Sequence, residues 1–398
     1  TMVKVGEEFV RTEVQFIPAK LKVIDHYRET YECRSCRKNG TPYMEKAPVP
    51  YPPVLHSLAS ASTITWLIHQ KFELSIPLYR QEKEWEALGL RLSRATMSNW
   101  LLVVYRDWLV HIVHRLKLEL LKQRYLHIDE THVQVLKEPG RKNTSDSYMW
   151  VYCSIRDAVN PIRYFEYQPG RSGKYPEAFL REYEGYIHTD AYSGYNAVSG
   201  VKRCLCYTHL RRAFVDALPK DIHNSEASKP AEAILRLNQL FNIESELEAL
   251  PPDQKKKERL IREKPLLEAF WSWAEKSAIG ELPKSKLSKA FHYALNNREG
   301  FWNYLEDGNC SISNSLAENC IRPFVIGRKN WLFSGSPKGA EASAGIYTLV
   351  ETAKANGLAP MKYIKYILSD MPGSAFLEHP EYLDDYLPWN PLVKEFCR

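Results

Sequence analysis

From Tyr125 onward the hydrophobic pattern of this 398-residue chain changes from helical spacing to alternation, and that change constrains the fold more than any other feature. YLHIDETHVQVL, SYMWVYCSIRD and IRYFEYQPG read as three successive strands, joined by turn-rich segments around PGRKNTSDS and DAVNP. A helix (GKYPEAFLREY), a short strand (YIHTDAY), a glycine-bearing loop, a fifth strand (VKRCLCY) and a further helix (THLRRAFVDAL) follow. The order β-β-β-α-β-α-β-α predicts an α/β domain: an antiparallel meander continued by parallel strands, with helices on both faces. In such a sheet the first and fourth strands are neighbours.

A chain of this length exceeds one ordinary core and is expected to divide. Residues 1–47 read as short strands, LKVIDHYRETYEC, leading into Cys33-Arg-Ser-Cys36. That is a metal-knuckle spacing, a partial zinc-binding-like segment with His26 as the nearby further candidate ligand. PVPYPP is a stiff linker into a helical region spanning residues 48–123. There a first helix holds Leu55, Leu58 and Ile64 and reaches Phe72, and a second starts after Pro77. Gly89 ends the second, and Ser93 caps a third. This is a helix-turn-helix-like layout. Arg91, Arg94, Thr96, Ser98 and Asn99 stand near the start of its second helix, where base or phosphate contacts are made; a plain helical hairpin fits the same pattern.

The sheet region occupies residues 124–220 and a helical insertion residues 221–308, within which KKKERLIREK reads as a solvated face. Residues 309–355 return to the sheet domain, and 356–398 form a helical tail. The net charge of +6 permits nucleic-acid binding, and the scattered cysteines suit a reducing cytosol. No apolar run reaches the length of a membrane span.

Asp129 sits at the end of the first strand and Asp190 at the end of the fourth, so both are expected on one edge. Ser311 to Phe333, SISNSLAENCIRPFVIGRKNWLF, adds Glu318, with Arg322 four residues on and Arg328 and Lys329 after it. Ser315-x-x-Glu318 also fits a capping box, and Pro323 predicts a kink or an end to any helix there. With the insertion set aside, Glu318 falls on the helix after the fifth strand. Three converging carboxylates can hold two divalent cations, Mg²⁺ or Mn²⁺, for in-line attack on a phosphodiester. Arg211 and Arg212 are candidate phosphate ligands, and Arg171 is a weaker one. Cys206-x-x-His209 either shapes a DNA channel or packs in the core. Trp331 and Phe333 either stack on a displaced base or pack inside.

The element order is that of a ribonuclease-H-like sheet, and the sequence blocks go further. PLYRQEKEWEALGLRLSRATMSNW, YLHIDET, GRSGKYPEAFL, HTDAYSGYNAV, CLCYTHLRRAF and the long block SNSLAENCIRPFVIGRKNWLFSGSPKGAEASAGIYTLVETAKANGLAP resemble the DDE transposases of the insertion sequence 66 family, from about residue 50 to the C-terminus. The resemblance implies a ribonuclease-H-like catalytic core interrupted by a helical insertion. It also implies catalytic and metal-binding roles for Asp129, Asp190 and Glu318. Its implied partners are double-stranded DNA (element ends and target) and two accessory proteins of the same element. The family carries a cysteine-rich zinc module ahead of the core. Here only Cys33 and Cys36 of it are seen, the leader and first cysteine pair expected upstream being absent, so zinc is not expected in this chain.

The expected function is therefore that of a bacterial, cytoplasmic, nucleoid-associated enzyme. It binds terminal inverted repeats, cleaves to free a 3′-hydroxyl and joins that end to target DNA. Arg322, Arg328, Lys329, Arg211, Arg212, Arg94 and Asn99 are its expected DNA contacts, and it is expected to act as a homo-oligomer on DNA. The alternatives are a nuclease of the same fold without strand transfer, or a decayed or domesticated DNA-binding protein.

Overall fold

The computed structural model describes residues 2–17, 19–219 and 228–398. Near the N-terminus, β1 (Thr30–Glu32) and β2 (Met44–Lys46) pair antiparallel around the helix Arg34–Lys38. The described residues before β1 are exposed and form no regular element, so only the end of the expected LKVIDHYRETYEC strand forms. Val23 and Ile24 lie open to solvent there, and a strand with no apolar surface to cover gains little by pairing.

The main sheet contains β3 (Tyr125–Val135), β4 (Asp146–Ser154), β5 (Arg163–Gln168), β6 (Tyr186–Thr189) and β7 (Lys202–Leu205). They lie in the order β5-β4-β3-β6-β7. The β3–β4 and β4–β5 pairs are antiparallel, whereas β3–β6 and β6–β7 are parallel. A short β8 (Phe333–Ser334) adds in parallel to the far end of β3. Residues 149–154 of β4 are buried without alternation, as expected of a strand covered on both faces.

Both outer strands are partly covered by side chains. On β5, the amides of Arg163 and Phe165 donate to Thr352 and Thr348 Oγ1 at 3.0 and 2.8 Å. These threonines lie on the buried helix Pro337–Ala355, which takes the place of a further strand. On β7, the Asn303 side-chain amide donates to the Arg203 carbonyl at 2.8 Å.

The N-terminal helices pack on this body. Ser60 caps at the Thr63 amide (3.1 Å), so the helix begins at Ala61, runs to Ile68 and continues as the π-helical turn His69–Glu73. Leu55 and Leu58 precede it and are exposed, a shorter helix than the apolar spacing predicts. Leu78–Ala87 follows, and Gly89 supplies the positive φ of the turn (+89°). Ser93 caps Arg94–Val104, which passes through the π-helical turn Tyr105–Leu109 into Val110–Leu121. Gly345 lets the helix Pro337–Ala355 cross this turn: an added Cβ would lie 2.0 Å from the Tyr105 ring.

The helices Lys229–Glu246, Pro252–Arg262, Lys264–Ala278, Lys286–Asn296 and Arg298–Trp302 build a second core. Phe270, Trp271 and Phe291 meet Leu210 and Phe214 of the helix Tyr207–Val215 there. The expected start of the insertion at residue 221 lies outside the described residues. The KKKERLIREK run is not wholly a solvated face, because Arg259 and Glu263 are buried. Arg259 pairs with Glu244 at 2.6 Å and donates to the carbonyls of Tyr304, Asp307 and Cys310 at 3.0, 3.1 and 2.8 Å. That fork of donors satisfies the chain just before it re-enters the sheet domain. Among the described residues no helix is long and apolar enough to cross a membrane.

Glu318 lies in the first turn of the helix Ser315–Trp331. The expected capping box does not form: Asn314 is the N-cap residue and no side chain caps this helix. Pro323 neither ends nor divides it. The carbonyl that Pro323 leaves unpaired is that of Asn319, which is exposed, and burial of Ala317, Ile321 and Phe324 offsets the lost bond.

Candidate active site

The parallel register of β3 and β6 sets Tyr125 against Tyr186, Leu126 against Ile187 and His127 against His188. Asp129 and Asp190 each follow the last of these pairs by two residues and share one face of the sheet; Asp190 stands just past the end of β6, whereas Asp129 lies within β3, opposite Val151, and not at a strand end as expected, because pairing with β4 carries β3 on to Val135. The helix Ser315–Trp331 packs over β3 and β4 and brings Glu318 to that face. Burial, with the charges of Glu130, Asp190 and Glu318 added, pushes the Asp129 carboxyl up to about 7.

Each acid has its own surroundings. Asp190 Oδ1 accepts the Tyr192 amide at 2.9 Å, and Arg171 stands 3.8 Å from Oδ2. Arg203 braces this loop by donating to Thr189 Oγ1 and to the carbonyls of Asp190 and Tyr192 at 2.7, 2.6 and 2.8 Å. Glu130, whose side chain is 2% exposed, is held by Arg171 at 2.5 Å and by the Tyr195 hydroxyl at 2.5 Å. Glu318 Oε1 is buried without a hydrogen-bond partner, 3.7 Å from His209 Nδ1, which is equally unpartnered. Contact with Cys206, against the effect of burial, pushes the His209 imidazole up, and the charges of Glu318 and Asp190 add to this. An open cleft of about 380 Å³ beside the acids is lined by Arg171, Asp190, Tyr192, His209, Arg212 and Tyr293.

Among the described residues two groups of possible metal ligands close to within 4.8 Å: Cys206–His209–Glu318 and His188–Cys204–Cys310. Asp129 and Asp190 are in neither, so the three carboxylates are drawn to one face without closing to that span. The second group is fully buried, but both nitrogens of its imidazole are engaged. His188 Nδ1 pairs with the Leu126 carbonyl at 3.1 Å, and Nε2 accepts the Ser311 amide at 2.9 Å. With no lone pair left on that ring, the group belongs to the packed interior.

The predicted cations divide. Arg322 and Lys329 are exposed, and half-buried Arg328 reaches Thr131 on β3 at 3.3 Å. Arg212 is exposed at the cleft, whereas Arg211 is bonded to Asn238 of the insertion at 2.7 Å. Arg94 and Asn99 are exposed on the helix Arg94–Val104. Trp331 packs against the core beside Tyr347, and Phe333 is partly exposed on β8. Cys33 and Cys36 flank the start of the Arg34–Lys38 turn, and among the described residues neither His26 nor another ligand completes a group of three with them.

Sequence reasoning passed over Glu130, His127, His188 and Asn314. The signal for the histidines was present: both acids end the pattern His-x-Asp, at residues 127–129 and 188–190.

Comparison with known proteins agrees with this layout. The family described as "Transposase IS66 family" matches residues 56–342, and the "zinc-finger binding domain of transposase IS66" matches residues 1–37. Among curated proteins, the uncharacterized protein y4hP of Sinorhizobium fredii (strain NBRC 101917 / NGR234) is 26% identical over 97% of this chain and 71% of its own length. The uncharacterized protein y4qI of the same strain is 27% identical over 98% of this chain and 72% of its own. A family match spanning most of the chain places it: this protein belongs to the transposase IS66 family.

Proposed function

We propose that this chain is a metal-dependent transposase that cuts DNA at the ends of an insertion sequence and joins the freed 3′-hydroxyl to target DNA. The observation that carries the reading is the β3–β6 register, which sets Asp129 and Asp190 at matching offsets on one face of the sheet, with the charge of Glu318 beside Asp129. The strand order β5-β4-β3-β6-β7 supports a ribonuclease-H-like core.

The donor set suits hard divalent cations. Asp129, Glu130, Asp190 and Glu318 face chiefly Arg171 and His209, and one buried oxygen of Glu318 has no partner. All-oxygen sites of this kind take Mg²⁺ or Mn²⁺. Bound by Asp129, Asp190 and Glu318, such a pair supplies activation of the attacking oxygen and stabilisation of the leaving one. Arg171 and Tyr195 keep Glu130 oriented, and the Tyr192 amide fixes Asp190. Exposed Arg322, Lys329 and Arg212, with Arg328 beside β3, grip the phosphates of the strand being cut. DNA ends and target are its substrates, with homo-oligomerisation on DNA and the element's accessory proteins as further partners.

The test is incubation of the purified protein with oligonucleotides carrying the element's terminal repeats, with Mg²⁺ or Mn²⁺. Joined products are expected, and Asp129→Asn, Asp190→Asn or Glu318→Gln should each abolish them while DNA binding persists. Cleavage without joining makes the chain a nuclease. Full activity in the Asp129→Asn variant overturns the assignment.

A further inference from the structure

Asn314 occupies the N-cap position of the Glu318 helix, where an asparagine side chain ordinarily accepts an amide of its own helix. Here it does not cap. Its buried side chain turns to the sheet instead: Oδ1 meets His127 Nδ1 at 2.9 Å, and Nδ2 donates to the Ile128 carbonyl at 2.7 Å. Its backbone amide donates to Cys206 Sγ at 3.1 Å, and its carbonyl accepts the Glu318 amide at 3.3 Å. One residue thus touches the strand one position before Asp129, the start of the helix bearing His209, and the turn bearing Glu318.

The arrangement needs an amide. The Ile128 carbonyl only accepts, so Nδ2 must face it, and Oδ1 then takes a proton from His127. An aspartate has no donor for that carbonyl, and a serine is too short for both partners. The network continues sideways. His127 stacks on His188 with centroids 4.1 Å apart and planes 9° apart, and His188 accepts the Ser311 amide at 2.9 Å. The residues two before Asp129 and two before Asp190 are thereby tied to the same short segment, 311–314.

We infer that Asn314, with His127 as its partner, is a positioning residue: it fixes the Glu318 helix against the Asp129 strand and so sets the spacing at which the three carboxylates meet divalent cations. This rests on the proposed metal-dependent reading of the site. Partners that orient metal ligands typically contribute 10–100-fold in affinity or activity.

The test measures Mn²⁺ binding by the metal-free chain of residues 1–398, by calorimetry and by electron paramagnetic resonance, alongside thermal melting and DNA binding. Asn314→Asp and His127→Phe, the latter keeping a ring on His188, are expected to weaken Mn²⁺ binding by about tenfold or more with DNA binding retained. His127→Asn, which restores a donor near the Nδ1 position, is expected to recover much of the loss. Should Asn314→Asp fold poorly, the His127→Phe and His127→Asn pair carries the decision. Wild-type Mn²⁺ affinity in folded Asn314→Asp or His127→Phe overturns the inference, as does a loss that tracks melting alone and is not rescued by His127→Asn. Failure of the wild-type chain to bind Mn²⁺, or undiminished binding by Asp129→Asn, instead overturns the metal-dependent reading on which the inference stands.

Discussion

Arg171 lies 2.5 Å from Glu130 and 3.8 Å from Asp190, so one guanidinium serves a buried carboxylate and the acid at the end of β6. It also stacks 3.9 Å from the centroid of the Tyr192 ring, whose hydroxyl donates to the Arg171 carbonyl at 2.7 Å. Removing it leaves Glu130 with the Tyr195 hydroxyl as its remaining side-chain partner among the described residues. Arg171→Ala is expected to lower stability by about 2 kcal/mol, discounted for the exposure of the arginine. Added Mg²⁺ should stabilise the variant more than the wild type, because the cation replaces a missing positive charge. Melting temperatures with and without Mg²⁺ check this, and an equal Mg²⁺ shift in both proteins counts against it.

Arg322, Arg328 and Lys329 follow Glu318 on one helix. If they hold backbone phosphates, removing any one of these cations makes log affinity less steeply dependent on log salt, by about one unit of slope. The Arg328→Ala, Lys329→Ala double variant should therefore show a slope shallower by about two. An unchanged slope removes these residues from the DNA interface.

Glu263 offers a prediction about pH. It is buried beside Arg259, Glu244 and Tyr304, and the Tyr304 hydroxyl donates to it at 2.7 Å. Burial, with the charge of Glu244 added, pushes its carboxyl from 4.5 up to about 8. The folded chain then keeps a proton that the unfolded chain has lost. The stability from this group is fully present below the unfolded value of 4.5 and is lost as pH rises to about 8. Glu263→Gln, neutral throughout, should melt higher than wild type at alkaline pH and close to it in mild acid. A gain independent of pH would show that the carboxyl does not titrate in this range.

Asp129→Asn should leave the fold and DNA binding in place while ending strand cleavage, because it keeps the shape of a residue paired with Val151 of β4 but removes its charge. Restoration of cleavage by excess Mn²⁺ would show instead that the residue only adjusts metal affinity.

Much of the sheet could be read from the residues, because alternation and turn chemistry are local. Asp190 could be placed because β6 ends just before it, whereas the reach of β3 past Asp129 to Val135 depends on pairing with β4. What escaped was long-range pairing. Arg259 sits in a run of charges indistinguishable from a solvated face until the carbonyls of Tyr304, Asp307 and Cys310 arrive from more than forty residues away. Asn314 was passed over because its partners, His127 and Ile128, belong to a strand far upstream. Pro323 departs from expectation for the opposite reason: the local penalty is real, but an exposed carbonyl at Asn319 and a buried face opposite make it tolerable.

The side chains bonded to both outer strands limit how copies of this chain can meet. Thr352 and Thr348 occupy the outward amides of Arg163 and Phe165 on β5, and Asn303 occupies the Arg203 carbonyl of β7. A neighbour cannot extend the sheet by backbone pairing at these positions without displacing those side chains. If copies gather on two DNA ends as proposed, they meet elsewhere than at these positions of the main sheet, and helical surfaces surround it. Such surfaces can be remodelled one side chain at a time without disturbing the sheet that carries the acids.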